Sequence, residues 1–189
     1  MSRKGLILFI ACGIAWGLPY AFIAIALEEF DVATIVLARC LIGVAVLLPF
    51  AIYRKAIMPA LKHWRWVLVF ALLEMVGPWF LITNAERTIS SGLTGLLIAI
   101  VPFWGVFIAY YFLGDKSVKH PKTIFGLVIG FVGVLLLVGV DALTANLDLI
   151  GVGSVILASV GYAIAPAVSS RTIGHLDSAG VIALSMVFV

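Results

Sequence analysis

The chain is built of long apolar blocks separated by short polar connections, with no residue-by-residue alternation. The blocks occupy residues 5–27, 32–53, 66–85, 88–114, 123–140 and 149–170, and a shorter one runs over 178–189. Only Arg39, in the second block, and Glu74, in the third, interrupt them with charge. Crossing roughly 30 Å of hydrocarbon takes about 20 residues of helix. The pattern therefore predicts six membrane spans and part of a seventh. A barrel needs alternating strands of about ten residues, whereas a helix satisfies its own backbone hydrogen bonds inside lipid. The fold class expected is all-α, a polytopic helical membrane bundle.

Composition excludes the soluble alternative. The 189 residues are 64% hydrophobic and 11% charged, with a mean hydropathy of +1.25, against about 25% charged residues in a soluble domain. The opening Met1-Ser2-Arg3-Lys4 and the apolar run after it resemble a cleavable secretion signal. That run is longer than the usual core of about 7–15 residues and carries Trp16 and Pro19, so it reads as a permanent span.

Charge placement predicts orientation. Arg3 and Lys4 precede span 1; Arg54, Lys55, Lys62 and Arg65 join spans 2 and 3; Lys116, Lys119 and Lys122 join spans 4 and 5; Arg171 follows span 6. The opposite connections hold Glu28, Glu29, Asp31, Glu86, Asp141 and Asp148, with Arg87 as their one base. Basic residues in short loops stay in the cytoplasm, which puts the N-terminus inside a cell inner (plasma) membrane. The net charge of +3 then marks topology and some attraction to anionic lipid, and nucleic acid is not an expected partner.

Catalytic and metal chemistry find little footing. His63, His120 and His175 fall in connections without a shared metal spacing. Cys12 and Cys40 lie inside spans and make no disulfide framework. There is no phosphate loop, no HExxH and no nucleophile–base pairing. No enzyme activity, cofactor or metal is expected.

The spans carry more information. Gly13-Ile-Ala-Trp-Gly17 in span 1, and Gly126 with Gly130 and then Gly133 in span 5, space small residues so that helix backbones can approach closely. Pro19, Pro78, Pro102 and Pro166 each free a backbone carbonyl and permit a kink, structural or cavity-forming. By helical rise, Arg39 lies roughly 10 Å and Glu74 roughly 15 Å below the same face. Charges at such depth are costly and usually face a polar interior, where these two have the reach to pair. The alternatives are that Arg39 snorkels to the headgroups and that Glu74 is neutral in lipid. Trp16 and Tyr20 share a face of span 1. With Trp79, Phe103, Trp104 and Tyr162 they are placed to line the same space or to pack between helices.

In order and spacing, these motifs resemble the EamA family of the drug/metabolite transporter superfamily. The elements are Ala15-Trp16-Gly17, Leu37-Ala38-Arg39, Ala85 ahead of Ile89-Ser90-Ser91-Gly92, Pro102, Gly114-Asp115 where the family usually has Gly-Glu, and Gly126 with Gly133-Val134-Leu135-Leu136. The resemblance implies one five-helix repeat over 5–140 and an incomplete, inverted second repeat over 149–189, in a chain truncated relative to ten-helix members. Sliding the chain on itself by 146 residues matches Trp16 with Tyr162 and Asp31 with Asp177. The five identities it yields over 5–43 are near chance, and Arg39 falls opposite Ser185. The resemblance also implies a transporter of small metabolites, amino acids or drugs, acting as a secondary exporter. The rival reading is a membrane receptor or assembly subunit without a transport cycle. Expected partners are the lipid bilayer, a small-molecule substrate, protons as coupling ion and a second copy in a homodimer.

Overall fold

The computed structural model describes residues 3–138 and 148–189, so Asp141 and the tail of the fifth predicted span lie outside the described residues. The helices are α1 (Arg3–Ala26), α2 (Val32–Tyr53), α3 (Ile57–Lys62), α4 (Trp64–Ala71), α5 (Gly77–Ala85), α6 (Ser91–Ile98), α7 (Val101–Tyr111), α8 (Pro121–Val138), α9 (Leu149–Thr172) and α10 (Ser178–Phe188). A π-helical turn, Leu72–Val76, joins α4 to α5, so Trp64–Ala85 is one continuous span. Among the described residues, five stretches are long and apolar enough to cross a membrane, Lys4–Ala26, Val32–Tyr53, Trp64–Ala85, Ser91–Tyr111 and Leu149–Thr172, while Pro121–Gly133 and Ser178–Phe188 are shorter apolar helices. The short α3, in the connection between the second and third, has no counterpart in the hydropathy pattern.

Acidic residues of the connections start the helices. Asp31 accepts from the Thr34 N–H, Asp148 from the Ile150 N–H and Asp177 from the Ala179 N–H, each capping the helix that follows. An N-terminal carboxylate both fills an orphan donor and meets the positive end of the helix dipole.

The prolines act unequally. Pro19 and Pro166 sit within unbroken α1 and α9. Pro78, which has no N–H for the Glu74 carbonyl, follows the π turn, and there the Gly77 N–H reaches back five residues to the Leu72 carbonyl. Pro102 opens α7 after a break at Ala99–Ile100, where the N–H groups bond three residues back.

Helix α9 is the centre of the bundle, packed on α5, α6, α7, α4 and the π turn, while α10 packs on α2, α3 and α4. Two apolar clusters sit at opposite ends. Ile23, Ile82, Ala85, Ile89, Ile98, Val155 and Ala158 form one, and Ala60, Val67, Ile173, Val181 and Leu184 form the other. Near the second cluster, Arg54 Nε donates to Asp177 Oδ2 at 2.7 Å and the His63 and His175 rings meet edge to face at 5.3 Å. Gly180 there presses on the Ala56 carbonyl, where a Cβ would collide. Leu, Ile and Phe side chains crowd the outside of α1, α2 and α8, as lipid contact requires.

Gly161 lets α9 approach the π turn: a Cβ there would lie 2.8 Å from the Leu73 carbonyl oxygen and 3.3 Å from Pro78 Cγ. Overpacking of this kind costs about 1–3 kcal/mol. Gly161→Leu is expected to lower the thermal unfolding midpoint in detergent, whereas Gly153→Leu, at a position with open space around it, leaves it nearly unchanged.

Candidate functional site

Between the two apolar clusters lie adjoining cavities of about 970 Å³ and 340 Å³, with Trp16, Tyr20, Phe70, Glu74 and Tyr162 as shared walls. Glu74 is ten residues from one end of its span and eleven from the other. Trp16 and Tyr162 are similarly central in α1 and α9, so the cavity is centred at mid-depth. Both irregular backbone segments border it: Glu74 belongs to the π turn, and Ile98, Ala99, Val101 and Pro102 flank the α6–α7 break. Irregular backbone at membrane depth is tolerated where it faces a cavity or protein and not lipid.

The smaller cavity brings Trp16, Tyr20, Arg39, Glu74, Trp79 and Tyr162 together. Arg39 places its guanidinium 4.2 Å from the centroid of the Trp79 ring, a cation–π contact that offers a half-buried cation some of the stabilisation it loses with water. Arg39 and Glu74 make no ion pair with each other. Tyr162 lines the same cavity, within electrostatic reach of both. A guanidinium and a carboxyl among the aromatic walls make this space amphoteric.

Trp104 falls outside that arrangement. Its indole N–H donates to Ser159 Oγ at 3.0 Å, tying α7 to α9, and Phe103 packs edge to face on Phe131. Pro19 borders the smaller cavity, Pro102 and Pro166 border the larger, and Pro78 is buried beside the π turn.

Glu86 is a departure from its reading as a loop charge. It caps the C-terminus of α5, is only 9% exposed, and neither carboxyl oxygen accepts a hydrogen bond. Burial pushes it up to about 7, with the Arg39 charge pulling the other way. Its position just beyond Ala85, beside the exposed Arg87, gives no hydropathy signal of burial.

A helical bundle whose spans are broken where they border a mid-membrane cavity has the architecture of a multi-pass membrane protein that handles small molecules. The chain belongs to the EamA-like transporter family, which matches over residues 3–139 and is part of the drug/metabolite transporter superfamily. This is a family of membrane transporters and not of enzymes. No curated protein and no solved structure gives a significant match.

Single cysteines at positions 39 and 74, in a chain freed of Cys12 and Cys40, are expected to react with water-soluble thiol reagents in bilayers. Resistance at both positions shows that the two do not share a hydrated space.

Proposed function

We propose that the chain contributes one five-helix repeat, residues 5–140, and the start of an inverted second, residues 149–189, to a secondary exporter of small metabolites, amino acids or drugs. The observation that carries the reading is the amphoteric, aromatic-walled cavity at mid-depth, bordered by interrupted helices, which is where transporters of internal-repeat design hold substrate. Helix boundaries support the repeat better than the identities do. Shifting Arg3–Ala26 by 146 residues gives Leu149–Thr172, and the same shift carries the start of α2 at Val32 to the start of α10 at Ser178. The capping residues correspond as Asp31 and Asp177, and the cavity walls as Trp16 and Tyr162.

On this reading Arg39 attracts an anionic group of the substrate, while Glu74 meets a cationic group or carries a coupling proton. The basic connections put the N-terminus in the cytoplasm of a cell whose inner membrane the protein spans. In vesicles, Glu74→Gln is expected to abolish the dependence of transport on a pH gradient, and unchanged coupling removes Glu74 from the mechanism. A protein that binds partners but moves no solute supports the receptor reading instead. In intact cells, a cysteine at Arg87 is expected to label with an impermeant reagent and one at His120 to be protected; the reverse pattern inverts the topology.

A further inference from the structure

Three buried polar oxygens lie within one turn of α5. Thr83, three residues before Glu86 and so on the same face, is fully buried, and its hydroxyl, like both Glu86 oxygens, has no hydrogen-bond partner. An ionised carboxylate is poorly placed here. It lacks donors, it is shielded from water, and it stands at the negative end of the α5 dipole. The cation acting on it is Arg39 of α2, yet that guanidinium is stacked on Trp79 and makes no ion pair with Glu86.

The other titratable groups around α5 do not replace it. Tyr20 of α1 is within electrostatic reach of Glu86, Tyr162 of α9 faces Arg39 and Glu74, and Glu74 lies in the preceding π turn. Asp148 is engaged by the Thr88 hydroxyl at 2.6 Å, and Arg87 is exposed.

We propose that Glu86 is a proton-binding site that sets the position of Arg39: Glu86 is neutral while the guanidinium stacks on Trp79, and loses its proton when the guanidinium leaves the ring to pair with it. The carboxyl O–H bond breaks, the proton passes to water, and the carboxylate so formed is matched by the cation already present. A full negative charge attracts a guanidinium more strongly than a ring face does, so deprotonation withdraws the positive charge from the cavity wall. The consequence for transport rests on the reading of the cavity as a substrate site, whereas the protonation does not. Its test therefore reads protonation and not transport, and the two ideas fail separately.

Infrared difference spectroscopy of the full chain in bilayers, titrated through neutral pH, resolves the carbonyl band of a neutral buried carboxyl group. In a Glu74→Gln background, which removes the other buried carboxyl, such a band is expected to vanish with a midpoint near 7 and to be missing once Glu86→Gln is added. Removing the cation in Arg39→Gln is expected to raise the midpoint by about one pH unit. Removing the competing ring in Trp79→Leu frees the guanidinium to pair and is expected to lower it. Thermal unfolding gives a second readout. A group raised on folding stabilises the fold below its unfolded value and loses that contribution as pH rises through about 7, a slope that Glu86→Gln is expected to flatten. A band that survives in the Glu74→Gln, Glu86→Gln double variant, or no titrating band in Glu74→Gln, overturns the proton site. Midpoints unmoved by both Arg39→Gln and Trp79→Leu overturn its link to Arg39.

Discussion

A backbone carbonyl without a donor has no water to turn to in hydrocarbon, and that constraint decides where this chain is regular and where it is not. Helices α1 and α2 run unbroken, even through Pro19 and Pro49. The spans break at Leu72–Val76 and at Ala99–Ile100, and both breaks border the same cavity. Freed carbonyls and a membrane-embedded carboxyl are thus collected in one place. The close approach of α9 at Gly161, against the Leu73 carbonyl, shows how closely the neighbouring helix covers the other side of the π turn.

The apolar clusters give this space its position. One gathers residues near the start of α9 and the end of α5, and the other gathers residues near the end of α9 and the start of α4. Helix α9 joins the two, with Val155 and Ala158 in the first and its C-cap Ile173 in the second, and between them it presents Tyr162 and Pro166 to the cavity. Packing at the two ends and a void at the centre are therefore features of a single helix, in which small and apolar residues give way to an aromatic one at mid-span.

Much of this was legible in the sequence because membrane spans are written in long, redundant runs. The starts of spans 2 and 6 were readable, and counting along the helices set Trp16 and Tyr20 on one face and Arg39 and Glu74 at similar depth, while leaving open whether the aromatic residues line a cavity or pack between helices. What escaped depends on single contacts. Trp104 has the same composition-level signature as Trp79, yet a hydrogen bond to Ser159 takes it elsewhere. Arg39 and Glu74 matched in depth, but the Trp79 ring met the guanidinium first. Glu86 sits one residue past an apolar run, where hydropathy cannot distinguish a solvated acid from a covered one. The π turn at Glu74 was announced only as a proline four residues downstream.

The aspartate cap at Asp31 before α2 has a counterpart at Asp177 before α10, but the surroundings differ. Asp177 is clasped by Arg54 as well as capping its helix, and this is the one ion pair among the described residues, so Asp31 has only its cap. Prying the bundle apart at the Arg54 end means breaking an ion pair; among the described residues no ion pair resists at the Asp31 end. An exposed pair of this kind is weak and screened by salt. The preference for opening at one end over the other is accordingly small, directional and tunable by ionic strength, a polarity supplied by one side chain to an otherwise repeated turn.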